Sequence, residues 1–338
     1  MSQKHVLIGN GININFGGWD YTNGQIIERL TVKLKQNDGY FDDVFAGIVS
    51  SEELLGIIEG LNDIFNKMLN GSIFSLRRAA DEEEMRTLVD ISRRYKMKTY
   101  SAVEIGMEDY FYALKWFNNG YPDGEELTKS AFQGLKQLFL DSIFNNGEIE
   151  ELYLKMQPFS RELEQFDTVF TVNYDTNLDR LSKKKVYHLH GSFAELDDSY
   201  IPTTIVGMVA NMKKSKPRVI AGKEHLFCNA IMGYSGAYKY DLMMKYKEIN
   251  ASLVDRSLEA HEYPIEKFQG ICGELHIIGM SPNNDSHILS MINSNPNITN
   301  VVFYCVDDIA FDEAKKVITK PITMRNVIEY WNSLLKDH

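Results

Sequence analysis

The stretch HVLIGNGININFGG, His5 to Gly18, decides how the chain is read. A short apolar run, His5 to Ile8, stops at Gly9 without alternating polar residues, which is how a strand buried on both faces reads. Gly9 and Gly11 allow a tight turn and a close approach of backbone to a ligand. A helix starting just after them would aim its N–H groups at a phosphate. Position 14 is Ile where the usual dinucleotide fingerprint has its third glycine. Taken alone, the motif is therefore equally a plain glycine turn between strand and helix.

Outward from this opening, strand-sized runs recur at Thr168–Val172, Val186–Leu189, Val219–Ile220, Leu275–Ile278 and Val301–Val306. Helical patterns lie between several of them, at Asn177–Ser182, His287–Ile292 and Phe311–Val317. Strand and helix in alternation predict an α/β fold with a Rossmann-like parallel sheet. Between residues 24 and 165 the texture changes. Leu54, Leu55, Ile58, Leu61, Ile64, Phe65 and Met68 recur at helical spacing, as do Phe132, Leu135, Leu138, Phe139 and Ile143. The expected organisation is a single domain over 1–338. Residues 1–23 and 166–326 form its core, 24–165 a helical insertion that makes a largely helical second lobe, and 193–262 a mixed insertion. Within the last, Tyr238–Glu248 reads as a helix.

Bulk composition narrows the function classes. The chain has 338 residues, 44% hydrophobic and 25% charged, as in an ordinary soluble globular protein. Its net charge of −11 repels phosphate backbones, so nucleic acid is not the default partner. The basic runs Arg93–Lys98 and Lys213–Arg218 read as solvated surface. Cys228, Cys272 and Cys305 form no C-x-x-C pair, so neither a zinc module nor a disulfide framework is expected. Isolated thiols suit a reducing cytoplasm. The apolar run near the N-terminus is too short for a signal peptide, and none approaches the roughly 20 residues of a membrane helix. A cytoplasmic protein with no membrane partner is expected.

Three further motifs carry candidate chemistry. In DTVFTVNYDTNLDRL, Asp167 to Leu181, a strand runs into Asn173, Tyr174 and Asp175. Polar residues at the carboxyl end of a parallel strand stand where such sheets bind ligands, although Asp175 could equally cap the helix that follows. In KVYHLHGSF, Lys185 to Phe193, alternation puts His188 and His190 on one side, and His190 abuts Gly191 at the strand end. A histidine there suits acid/base work. A two-histidine metal site lacks a third ligand at a recognisable spacing, so no metal is expected. In ELHIIGMSPNNDSHI, Glu274 to Ile288, a strand ends at Gly279, Ser281 lies in the turn, and Asp285 and His287 open a helix. Ser281 or Asp285 could hydrogen-bond a ribose or phosphate, and Asn284 or Asp285 could cap the helix.

Together, in this order, the four motifs resemble the SIR2-like (sirtuin) superfamily. Against its opening motif G-A-G-[IA]-S-x-x-x-G-I-P-D-F-R, Gly9, Gly11, Ile12, Gly17 and Asp20 match. Tyr21 supplies the aromatic, Asn13 stands for the serine and Thr22 for the arginine. Thr171, Asn173 and Asp175 match T-Q-N-x-D with Val172 in place of glutamine, His190 and Gly191 match H-G, and Gly279 and Ser281 match G-T-S. The resemblance covers roughly the first 22 residues and 166 to 306. The two zinc-holding C-x-x-C pairs of sirtuin deacylases are missing, which points away from protein deacylation. What remains looks like the bacterial SIR2-like proteins of anti-phage defence, AbiH-type and related families among them.

That group implies NAD⁺ as substrate and its hydrolysis to nicotinamide and ADP-ribose. By the resemblance, Asn173 orients a water or the ribose, His190 accepts its proton, and Asp175 holds the nicotinamide end or supports charge. Gly9, Asn10, Gly11, Asn13, Asp20, Tyr21, Gly279, Ser281 and Asp285 would line the NAD⁺ site, with Ser281 and Asp285 on the adenosine side. An NAD⁺-using transferase (a zinc-free deacylase or an ADP-ribosyltransferase) and a non-catalytic nucleotide sensor are the alternatives. A constitutive hydrolase would kill its host. Restraint by homo-oligomerisation or by a separate sensor protein is therefore expected.

Overall fold

The computed structural model describes residues 3–36, 50–72, 85, 88–89, 91–92, 94–96, 98–107, 109–110, 113, 139, 142–190, 264–283 and 285–336. The segment 193–262, with the expected strand at Val219 and helix at Tyr238, lies outside them. So do Gly191, Cys228, the run Lys213–Arg218, Arg93, and Phe132, Leu135 and Leu138 of the second apolar stripe.

Six strands form one sheet: β1 (Lys4–Ile8), β2 (Thr168–Thr171), β3 (Val186–His188), β4 (Gly273–Ile278), β5 (Ile298–Cys305) and β6 (Ile322–Asn326). Their order is β3-β2-β1-β4-β5-β6, and every pairing is parallel. This is the doubly wound order of a Rossmann-like α/β fold. β1 is the central strand, with Ile8 opposite Thr171 on one side and Ile278 on the other. The chain winds outward from β1 to β3, returns to β4 beside β1, and winds outward the other way. The carboxyl ends of β1 and β4 therefore flank the point where the strand order reverses, the crevice in which such sheets bind ligands.

Helices among the described residues include α1 (Gly11–Gly17), α2 (Asn23–Gln36), α3 (Ser51–Leu69), α4 (Ser160–Glu164), α5 (Asn177–Leu181), α6 (Ile265–Gln269), α7 (Ser286–Ser294), α8 (Asp308–Val317) and α9 (Val327–Lys336). The inner strands are buried on both faces: Val6, Leu7 and Ile8, Val169 and Phe170, Leu275 and Ile277, Val301 and Phe303. That is why their sequences run apolar without alternation. β6 differs. It is an edge strand, ITMRN, whose burial alternates, so it carries no apolar run and the sequence pattern passes over it. α9 also lies beyond the expected end of the core at 326. It buries Val327, Trp331 and Leu334, and the Trp331 ring meets Phe16 and Phe159 edge-on at 5.5 Å.

The chain divides into two compact units. Among the described residues one holds 3–21, 147–190 and 264–336, and the other 22–36, 50–72 and the described positions from 85 to 146. Residues 147–165, expected in the insertion, cluster with the sheet, because Ile149, Leu152, Met156, Phe159 and Leu163 are buried there.

In the second unit α3 opens with a capping box between Ser50 and Glu53. It buries Leu54, Ile58, Leu61, Phe65 and Met68, while Leu55 and Ile64 are half-buried. Asp109, fully buried, accepts two hydrogen bonds from the Arg94 guanidinium at 2.7 and 2.9 Å and one from the Tyr95 hydroxyl at 2.7 Å. Among the described residues no helix is long and apolar enough to cross a membrane.

Candidate active site

The turn after β1 is packed against the turn after β4. Gly11 N–H donates to Gly279 O at 2.8 Å, and Gly9 N–H to Ile278 O at 2.9 Å. A Cβ on Gly11 would stand 2.5 Å from Gly279 Cα, and one on Gly9 would stand 2.7 Å from Gly279 O. Gly279 itself has φ +70°, a left-handed conformation that favours glycine. The glycines are thus required first by backbone packing at the switch point. The expected set of N–H groups aimed at a phosphate is reduced accordingly, since those of Gly11 and Ile12 are spent on Gly279 O and Gly9 O, the second at 3.3 Å. α1 is also short, seven residues.

Asn13, on α1, is 1% exposed. Its Nδ2 donates to Asp175 Oδ2 at 2.7 Å and Asn10 Oδ1 at 3.2 Å. Asn10 in turn donates to Tyr21 O at 2.8 Å, tying the glycine turn to the end of the loop. Tyr21 is buried against Gly17, whereas Asp20 is exposed. Asn173, two residues past β2, is 6% exposed. Its N–H donates to Thr171 Oγ1 at 3.0 Å, and its Nδ2 lies 3.4 Å from Gly9 O. The side-chain oxygens of both Asn13 and Asn173 are buried with no hydrogen-bond partner among the described residues.

Asp175 lies behind this pair. Oδ2 takes Asn13, and Oδ1 takes the Asn177 side chain at 2.7 Å and its N–H at 3.2 Å, so it also serves the first turn of α5. Burial pushes its carboxyl up from the usual range, opposed by the hydrogen bonds from Asn13 and Asn177. With both oxygens engaged and only 1% of its surface exposed, Asp175 fixes Asn13 instead of facing a ligand.

The two histidines diverge. His188 Nδ1 meets Asn173 O at 2.9 Å and Nε2 meets Asp179 Oδ2 at 2.9 Å. A carbonyl and a carboxylate are both acceptors, so this geometry favours the doubly protonated ring. Burial opposes that charge, but the Asp179 carboxylate, the Asn173 carbonyl and the Asp175 charge leave the imidazole raised above its usual value. Both ring nitrogens of His188 are thus engaged within the protein. Among the described residues no group of three His, Cys, Asp or Glu could hold a metal ion.

His190 is also buried, 3% exposed. Its Nε2 lies 3.5 Å from Asp285 Oδ1, and its ring centroid lies 6.4 Å from that of Tyr174. Asp285 occupies the N-cap position of α7 with φ 54° and makes no side-chain cap. The alternative of helix capping by Asp285 is therefore not realised. Ser281 is exposed, and its Oγ accepts from Asn283 N–H at 3.2 Å within the turn.

The carboxyl edge thus brings together Gly9, Gly11, Gly279, Asn10, Asn13, Asn173, Asp175, His190 and Asp285. Asp20 and Ser281 stay at the surface. Sequence reasoning missed Asp179, which holds His188 only because β2 and β3 pair, and Asn177, whose amide completes the Asp175 cluster. No family model, no curated protein and no solved structure matches the chain.

Proposed function

We propose that the chain cleaves the nicotinamide–ribose bond of NAD⁺, with water as the acceptor, to give nicotinamide, ADP-ribose and a proton. The observation that carries this is the pair of buried, unpartnered amide oxygens, Asn13 Oδ1 and Asn173 Oδ1, at the switch-point edge that also holds the buried His190. An unsatisfied buried acceptor costs about 1–3 kcal/mol, so a donor reaching either oxygen would be favoured there. Ribose hydroxyls and a water are such donors.

The chemistry asks little more. Nicotinamide leaves a cationic glycosidic nitrogen as a neutral molecule, so no general acid is needed. The ribose passes through an oxocarbenium-like state, as in glycoside hydrolysis. The protein must orient the sugar, place a water and take its proton. Asn173 Oδ1 accepts a hydrogen bond from that water or from a ribose hydroxyl. His190 takes the proton as the water oxygen bonds to the ribose carbon. Asn13, held by Asp175, offers a second acceptor. Asn10 and Tyr21 brace the turn, and Asp20 and Ser281 would approach the ligand from the rim.

The resemblance to anti-phage SIR2-like proteins supports a regulated effector acting in the cytoplasm, restrained by self-association or a separate sensor protein. The test is to incubate the purified full chain with NAD⁺, alone and with the proteins encoded beside it, and to chromatograph the products. Equal amounts of nicotinamide and ADP-ribose are expected. NAD⁺ bound but unchanged would indicate a sensor. ADP-ribose transferred to a protein, or an acyl group removed from a peptide, would indicate a transferase.

A further inference from the structure

β3 and β4 are not neighbours. β2 and β1 lie between them, so three strand spacings, roughly 14 Å, separate the two. Yet His190, just past β3, and Asp285, in the turn after β4, meet at 3.5 Å. The two turns must converge across the carboxyl edge of β2 and β1, the edge that carries Asn173 and the glycine turn. Both groups are largely withdrawn from solvent, with side-chain exposures of 4% for His190 and 14% for Asp285.

The backbone at Asp285 is unusual as well. Its φ of 54° and ψ of 43° are left-handed, a conformation that non-glycine residues adopt at a cost. An aspartate in an N-cap position ordinarily offsets such costs by accepting from the helix, and here the side chain makes no such bond. The carboxylate faces the imidazole instead.

Resting on the proposed NAD⁺ cleavage, we infer that Asp285 is the positioning residue for His190, not a ligand for the adenosine end of the nucleotide. A carboxylate near Nε2 favours a proton held there. It also stabilises the imidazolium formed once the ring takes the proton from water, as the third member of a nucleophile–base–carboxylate set does. At 3.5 Å the pair is an ion-pair contact, longer than an ordinary hydrogen bond. The Tyr174 ring lies beside His190, centroids 6.4 Å apart.

The test uses Asp285→Gly and Asp285→Asn in the full chain. Glycine suits φ 54° better than aspartate, so Asp285→Gly should melt no lower than the parent while losing the carboxylate. Its kcat should fall at least about tenfold, within the range for general-base catalysis, with KM for NAD⁺ little changed. Asp285→Asn, which keeps an acceptor oxygen and tolerates the same φ, should lie between. His190→Ala combined with Asp285→Gly should be no slower than His190→Ala alone. A rise in KM at unchanged kcat would overturn the inference and return Asp285 to nucleotide binding.

Nitrogen-15 NMR of the His190 ring supplies a readout that needs no turnover. The parent should carry its neutral-state proton on Nε2, and Asp285→Gly should shift it toward Nδ1. If the parent forms no nicotinamide with any neighbouring protein, the proposed activity fails, and the tautomer decides the pairing by itself. An unchanged tautomer in Asp285→Gly would overturn it.

Discussion

Asp109 and Asp175 are both buried carboxylates, one in each compact unit, and they are built differently. Asp109 is met by a guanidinium fork and a tyrosine hydroxyl, so its charge is balanced where it stands. Asp175 is met by neutral amides, from Asn13 and Asn177, and its carboxyl is pushed up by burial. The first arrangement spends its polarity on itself. The second spends its carboxylate on fixing Asn13 and leaves two amide oxygens, on Asn13 and Asn173, without donors. A fold gains nothing from that second arrangement by itself, since each unmet acceptor is a cost. We take the Asp109 cluster as a staple and, on the function proposed above, the Asp175 cluster as one half of a binding surface.

The largest expected effect tests the chemistry proposed for the Asn173 and His190 edge. Asn173→Ala and His190→Ala should each lower NAD⁺ cleavage by about 10²–10⁴-fold and leave NAD⁺ affinity largely intact, because both side chains act mainly in the transition state. Single-turnover kinetics alongside equilibrium NAD⁺ titration separates the two quantities. A variant that loses binding and turnover in equal measure would make these residues part of ground-state recognition.

The staple should fail in the opposite way. Arg94→Met leaves Asp109 buried without its counter-charge and should cost about 3–5 kcal/mol of stability. Denaturant unfolding measures this directly. An unchanged midpoint would show that Asp109 needs no cationic partner, which would erase the contrast with Asp175.

A smaller effect sharpens the comparison through pH. His188 clamps the Asn173 carbonyl, and its folded pKa is raised above 6.5. Its contribution is therefore fully present below pH 6.5 and is lost as pH rises through the folded value. His5 and His276 have the opposite sign, since burial lowers both. The informative quantity is accordingly the difference between parent and His188→Gln. That difference in melting temperature should shrink between pH 6 and pH 9, by about 2–4 °C for each kcal/mol lost. A constant gap would mean that His188 does not change its protonation across this range.

How much of this was legible in the sequence follows from burial. β1, β2, β4 and β5 could be read because both of their faces are covered, which forces continuous apolar runs. β6 could not, because an edge strand keeps polar residues on alternate positions. The site residues Asn173 and His190 were legible as polar groups at strand ends, where parallel sheets place ligands. The purpose of Gly11 was not, because the atom it makes room for belongs to Gly279, far along the chain. The pairs His188–Asp179 and His190–Asp285 were equally hidden. One exists because β3 pairs with β2, the other because two turns converge across two intervening strands, and neither fact is written in local pattern.

The central claim is that the unpartnered amides and His190 receive NAD⁺ and a water. It is tested most directly by chromatography of NAD⁺ after incubation with the purified full chain and its genomic neighbours, with Asn173→Ala run in parallel. The account predicts nicotinamide and ADP-ribose in equal amounts from the parent and neither from Asn173→Ala. NAD⁺ recovered intact from the parent under every combination, or equal product from both proteins, would contradict it.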